Sequence, residues 1–277
     1  MSQSLSKAAV QDFRRDGYYF PLPALSASEV AYCRERLETH EAKAGEPLQG
    51  NFRHKSHLLF TWVDALVHHP NILDPVETIL GPNLLCWTTN FFIKEANSPG
   101  FVSWHQDAFY WGLSRDDVVT AWVALSPANL ESGCMKFVPG SQTQDHLKHV
   151  DTFHKDNLLS RGQEIAVKVD TERTVDCILN PGEMSLHHVK VVHGSEPNRS
   201  NDRRIGLAIR YIPTDVKQLK VRDSATLVRG VDNDGNFDHE PRPKRDLDDA
   251  ALAAHGDAVG RQVKSLYSGT DKQAFRA

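Results

Sequence analysis

A β-sandwich or jelly roll with helices gathered ahead of it is the fold class the sequence predicts. Three observations predict it. From about Leu84 onward, short runs of β-branched and aromatic residues alternate with turn formers such as "NSPG", "ESG", "NPGE" and "EPNRSND". Before Leu84, apolar residues recur at helical spacing between capping signals. The chain has 277 residues, 40 % hydrophobic and 25 % charged, enough for one large domain with a substantial core.

The elements follow in chain order. Residues 1–83 are expected to be mainly helical. "LSASEVAYCRERLETHEAKAG" opens with a capping box, Ser26 and Glu29. Val30, Cys33 and Leu37 then share a face, and Gly45 is the stop. "HPNILDPVETILG" repeats the pattern through Ile72, Val76 and Ile79 to Gly81, with Pro75 placed in the first turn. Residues 84–213 carry the β core: "LLCWTTNFFIKE", "FVSWHQDAFYW", "VVTAWVAL", "CMKFVPGS", "TVDCILNPGEMSLHHVKVVHGS" and "RRIGLAIRYIP". The polar segment 141–168 is a long insertion of the kind that forms lids. Residues 214–277 are an extension with a polar stretch, a solvated charge run "RPKRDLDD", and a short helix from Ala250 to Val263. The whole chain, 1–277, is expected to be one domain without internal repeats.

Charge and composition exclude several functions. A net charge of -4 gives no footprint for nucleic acid. No apolar run is long enough to span a membrane, and the N-terminus lacks the apolar block of a secretory signal. Cys33, Cys86, Cys134 and Cys177 form no CxxC pair and read as reduced thiols, which points to the cytoplasm. The sequence sets no oligomeric state.

"SWHQDAFYW" resists reading as plain core. If it is a strand, His105 and Asp107, two apart, project from one face. Two ligands do not make a metal site, and a third must come from elsewhere. His187, His188 and His193 are the candidates. His193 ends an apolar run before Gly194, and "RIGLAIRYI" follows as a further strand; if the two pair, the start of the second lies near the end of the first. On that strand Arg204, Gly206, Ala208 and Arg210 share one face, while Ile205, Leu207, Ile209 and Tyr211 share the other. Arg203 faces outward. Two imidazoles and a carboxylate on one side of a metal match the facial triad of non-haem Fe(II) oxygenases. A nearby arginine suits a dicarboxylate, because its planar fork holds a carboxylate bidentately.

With those residues in view, the sequence resembles the phytanoyl-CoA dioxygenase family. The pattern is an HxD pair (His105, Asp107), a distal histidine followed by Gly-Ser (His193, Gly194, Ser195), and an arginine eleven residues after that histidine (Arg204). "DGYYF", the tryptophan of "VVTAWVAL" and "ESGCMKFVPGS" extend the likeness from about Phe13 to Pro213. The resemblance implies a double-stranded β-helix core of the jelly-roll, cupin-like type, with Fe(II) as the metal, 2-oxoglutarate as co-substrate and O2 as oxidant. It implies Arg204 as the clamp on the distal carboxylate, with Ser195 helping and Trp122 as a wall. Lys55, with His57 nearby, and Asn90 are further co-substrate contacts by the same resemblance. Trp111, with Tyr110 beside it, resembles an aromatic lining of the substrate cavity. Gln142 stands where relatives often carry histidine. Halogenating members replace the HxD aspartate by alanine or glycine, so Asp107 points to hydroxylation.

Arg210 has two readings, a substrate anion site or a structural ion pair. The expected function is hydroxylation of an unactivated carbon of a small, polar molecule, with release of succinate and CO2. The absence of a strongly basic patch for coenzyme A supports a free small molecule. The alternatives are a silent metal-binding or sensor protein on the same fold, and a cupin-like hydrolase or isomerase using a redox-inert metal.

Overall fold

The computed structural model describes residues 4–268 and 274–275. Helices α1 (Lys7–Asp16), α2 (Ala27–Ala44), α3 (Thr61–Val67) and α4 (Pro70–Leu80) precede the main run of strands, with β1 (Tyr18–Pro23) between the first two. The capping box forms as expected: Ser26 Oγ accepts from the Glu29 amide, and the Glu29 carboxylate accepts from the Ser26 amide. Gly45 closes α2 at φ +76°, a left-handed conformation that costs glycine little. The α4 expectation needs one correction. Pro70 holds the first helical position, so Pro75 lies in the helix interior, where it removes one backbone donor.

A seven-stranded sheet has the order β1, β9 (Glu183–His188), β4 (Val119–Ala124), β11 (Arg204–Pro213), β2 (Leu84–Lys94), β12 (Ser224–Arg229), β13 (Asp238–His239). A four-stranded sheet has the order β3 (Val102–His105), β10 (His193–Ser195), β5 (Met135–Phe137), β8 (Val175–Cys177). The large sheet therefore reaches beyond residues 84–213 at both ends. Its outer face carries Ile205, Leu207, Ile209 and Tyr211, which pack with Leu37, Val63 and Ile72 of the helices in one buried cluster. The opposite face of β11 lines the cavity described below. The expected alternation of β11 is what divides core from site.

Strand pairing decides two details that the sequence left open. β10 and β11 do not pair: β10 lies between β3 and β5, and β11 between β2 and β4. The eight-residue loop between them changes sheets. In β2 the register against β11 shifts between Arg210↔Thr88 and Tyr211↔Cys86. Trp87 is the extra residue of that bulge, so Trp87 and Thr88 both reach the same cavity.

The segment 141–168 is not plain loop. It holds a hairpin, β6 (His149–Asp151) with β7 (Gln163–Ile165), fastened to β3 by Ser103 Oγ donating to the Gln163 carbonyl at 2.5 Å. The charge run near 241–248 is also not free in solvent. Arg242 pairs with Asp64 at 2.5 Å, Asp246 accepts from Thr61, and Asp248 caps the last helix, α5 (Asp249–Leu266). Among the described residues no helix is long and apolar enough to cross a membrane.

Candidate active site

His105 and His193 lie directly opposite each other on the antiparallel pair β3–β10, which brings their rings to 4.1 Å between centroids. Asp107 arrives differently from the expectation. β3 ends at His105, and Asp107 opens a 3₁₀ turn, Asp107–Tyr110. Its carboxylate folds back to 3.3 Å from His105 Nε2. The chain thus reaches the same juxtaposition by ending the strand rather than by strand alternation. One ligand atom from each of His105, Asp107 and His193 lies within 4.8 Å of the others, and all three residues are buried.

The imidazoles are oriented by the backbone. His105 Nδ1 lies 2.9 Å from the Ser103 carbonyl, and His193 Nδ1 lies 3.0 Å from the Val191 carbonyl. A carbonyl can only accept, so both Nδ1 atoms carry hydrogen, and in a neutral ring that leaves the lone pair on Nε2. Burial, with His105 adding to it, lowers the His193 pKa to about 3 and keeps that ring neutral. Burial pushes the Asp107 carboxyl up, but Arg210 and the two histidines outweigh it and hold it well below the usual carboxylate range. Neutral imidazoles with a charged carboxylate are the donor set a divalent metal needs. Asp107 Oδ2 is buried without a hydrogen-bond donor, and Arg210 Nη2 approaches it only to 3.5 Å. That distance is a coulombic contact rather than a hydrogen bond.

Arg204 enters the same cavity from β11, across from the triad. It is 1 % exposed. Its Nη1 donates to the Gly133 carbonyl at 2.6 Å, its Nε has no partner, and its guanidinium lies 5.3 Å from the Trp122 ring centre. Gly133, at φ +68°, presents that carbonyl. Burial lowers the Arg204 pKa to about 10, and the groups opposing the shift are the thiols of Cys134 and Cys177 rather than a carboxylate. The guanidinium is therefore a buried cation without an anion.

Lys94 stands beside it, paired with Arg204 across β2 and β11. Its Nζ bonds Ser195 Oγ at 2.8 Å, the Gly133 carbonyl at 3.3 Å and the Glu196 carbonyl, while burial and then the charge of Arg204 lower its pKa to about 6. Sequence reading missed Lys94, although strand alternation from Asn90 through Phe92 places it on the inner face.

The other expected residues divide. Ser195 and Trp122 line this cavity. Asn90, Trp111 and Arg210 line a second cavity that shares Asp107, Phe92 and Arg210 with the first. Lys55 does not reach either. Its ammonium is buried against Glu240 at 2.5 Å and the carbonyls of Trp87 and Ser224, and His57 lies 3.2 Å from the other Glu240 oxygen. Tyr110 also turns away, donating to Asp151 at 2.7 Å with Arg161 over its ring. His187 lines the first cavity but lies outside the three-residue ligand cluster, and His188 is on the opposite face of β9. Arg203 faces outward as expected but is paired with Glu41 and Glu95.

The sequence profile of the family described as "Phytanoyl-CoA dioxygenase (PhyH)" matches residues 13–206. The chain belongs to the phytanoyl-CoA dioxygenase family. Among its curated relatives, the "Probable alpha-ketoglutarate-dependent hypophosphite dioxygenase" of Stutzerimonas stutzeri is 32 % identical over 167 residues, covering 59 % of this chain and 57 % of that protein. The human "Phytanoyl-CoA dioxygenase, peroxisomal" is 23 % identical, covering 56 % and 47 %. The chain thus spans about half the length of the curated family members it matches. Among solved structures, "non-heme monooxygenase; ThoJ apo" superposes with a TM-score of 0.80 at 38 % identity, covering 93 % of this chain and 97 % of that one. "CytC3 with Fe(II) and alpha-ketoglutarate" superposes at 0.67 with 22 % identity, a likeness of fold. The mixed sheet-and-helix arrangement is that typical of non-haem iron, 2-oxoglutarate oxygenases.

Proposed function

We propose that this chain is an Fe(II)- and 2-oxoglutarate-dependent dioxygenase that hydroxylates a small molecule, with release of succinate and CO2. The observation that carries the reading is Arg204: a buried, unpaired guanidinium facing the cavity that also holds His105, Asp107 and His193. A cation so placed is costly unless an anion fills the cavity. Arg204 would hold one carboxylate of 2-oxoglutarate, leaving the other end of the molecule free to face His105, Asp107 and His193.

His105, Asp107 and His193 would hold the iron, and the donor set fits it. Bound iron would supply the redox chemistry that couples decarboxylation of 2-oxoglutarate to substrate oxidation. The chain's own residues position and exclude. Lys94 Nζ holds Ser195 Oγ beside the co-substrate cavity. Trp122 closes the wall beside Arg204, and Leu158, Leu159 and Gln163 of the 141–168 segment line the neighbouring cavity. The two sheets are taken as the halves of a double-stranded β-helix, in one catalytic domain that includes the C-terminal extension. The oxygenases it is similar to support the reaction class, and the probable hypophosphite dioxygenase among them supports a small polar substrate.

The test is succinate release under air with Fe(II) and 2-oxoglutarate, compared with the zinc-loaded protein. Succinate is expected only with iron. Iron and 2-oxoglutarate bound without any succinate would favour the sensor reading instead.

A further inference from the structure

The second cavity lies between β2 and β11 on one side and the hairpin segment and α5 on the other. We propose that it receives a small organic oxyanion carrying an N–H or O–H donor, an amino or hydroxy acid in carboxylate or phosphonate form, with Arg210 as the anion's partner and Asn90 as the donor's acceptor. The inference rests on the functional reading above and names the substrate class for that site.

Arg210 is the first observation. It is 8 % exposed, and its Nε has no hydrogen-bond partner. Its contact to Asp107 is 3.5 Å, too long to satisfy either group, and Asp107 Oδ2 is itself unpartnered. The Trp111 ring, 4.9 Å from the guanidinium carbon, supports it from the side without supplying an acceptor. An oxyanion presenting two oxygens would complete the fork. Among the described residues Arg210 is the single Lys or Arg lining this cavity. One cation suits one anionic head and not the several phosphates of a coenzyme A ester.

Asn90 is the second observation. Its Oδ1 is buried without a donor, and it lines the same cavity. Asn90 pairs with Ala208 and Arg210 pairs with Thr88, so Asn90 and Arg210 are diagonal neighbours on the same face of adjacent strands. One small molecule can touch both. Trp87, Trp111, Leu158 and Leu159 supply apolar walls for its carbon part. The cavity volume is about 50 Å³, so the molecule it takes is small. Asp107 borders both cavities, so a molecule held here lies against the metal site.

The experiment uses the zinc-loaded protein with 2-oxoglutarate, in which no turnover occurs. It is titrated calorimetrically with L-amino acids, 2-hydroxy acids and aminoalkylphosphonates, each beside its neutral amide or alcohol. The best acid is expected to bind at least tenfold more tightly than its neutral counterpart, and the carboxylate and phosphonate arms identify the oxyanion. Arg210→Leu should erase that preference and Arg210→Lys should keep part of it. Asn90→Ala should bring the amino and hydroxy acids down to the level of acids lacking the donor. Equal binding of acids and neutral partners, no binding of any acid, or a preference that survives Arg210→Leu would overturn the inference while 2-oxoglutarate still binds. Failure of the parent protein to bind 2-oxoglutarate would overturn the functional reading, and this inference with it.

Discussion

Gly206 lies beside Trp122 so closely that a Cβ there would fall 1.8 Å from the indole Cζ2. The missing side chain is what lets Trp122 lie flat near Arg204. Gly206→Ala must displace the indole, and overpacking of this kind typically costs about 1–3 kcal/mol. We expect lower stability in urea together with weaker 2-oxoglutarate binding; a variant that loses neither would show that Trp122 does not form the wall. Arg204 itself is a sharper case. Removing one side of a buried charge pair costs about 2–5 kcal/mol, so Arg204→Ala should weaken 2-oxoglutarate by roughly 30-fold to several thousand-fold. Arg203→Ala, whose partners are Glu41 and Glu95 on the outside, should leave that affinity within a few-fold. The 2-oxoglutarate dependence of succinate release separates the two.

The hairpin β6–β7 and helix α5 form one element pair over the second cavity. Tyr267 donates to the Ser160 carbonyl at 2.8 Å, and Arg161 donates to the Leu266 carbonyl while pairing with Asp151. Arg161→Ala cuts both of its ties, and amide exchange across 141–168 should quicken, with ligand-induced slowing reduced; unchanged exchange would mean that packing alone holds the hairpin. The C-terminal extension has its own lock in Lys55, His57 and Glu240. Burial pushes the Glu240 carboxyl up, but Lys55 and His57 hold its pKa down at about 2, from the usual 4.5. A depressed folded pKa contributes stability above about 4.5 that is lost as pH falls towards 2. Glu240→Gln leaves a buried ammonium without its anion and should cost about 3–5 kcal/mol at neutral pH. Its urea midpoint should also lose part of the parent's dependence on pH below 4.5. Lys55→Met added to Glu240→Gln should recover stability, since no lone charge is then buried.

At the scale of the whole molecule, the metal centre joins the small sheet, through β3 and β10, to the turn that carries Asp107, and Arg204 and Arg210 face it from the large sheet. A metal and a dicarboxylate bound between the sheets should therefore stabilise the fold as a unit. Ligand at 100 times its dissociation constant adds about 2.7 kcal/mol, which for a chain this size is roughly 5–10 °C in Tm. His105→Ala should lose the metal-dependent part of that shift in a thermal melt, and an undiminished shift would place the metal elsewhere. The main elements of this architecture were legible in the sequence, because helix capping and strand alternation are local. Ser26, Gly45 and the alternating faces of Arg204–Tyr211 each state their structure within a few residues. Pro75 misled, since it lies six residues into a helix whose packing against the sheet tolerates a lost donor.

The sequence by itself determined the motif around which the candidate site is built. The HxD pair, the distal histidine with Gly-Ser, and the arginine at its fixed offset are a covalent pattern, and family membership follows from it. It also determined that Arg204 and Arg210 share a face, because side-chain period along a strand is set by backbone geometry. Tertiary structure alone decided what those residues meet. Whether Lys55 finds 2-oxoglutarate or Glu240 depends on a contact 185 residues away, and no local rule reaches that far. The sheet change between His193 and Arg204, the bulge that turns Trp87 inward, and the unpaired faces of Arg210 and Asn90 arise in the same way. Each is set by which strands lie side by side, and strand order is a property of the packed core as a whole.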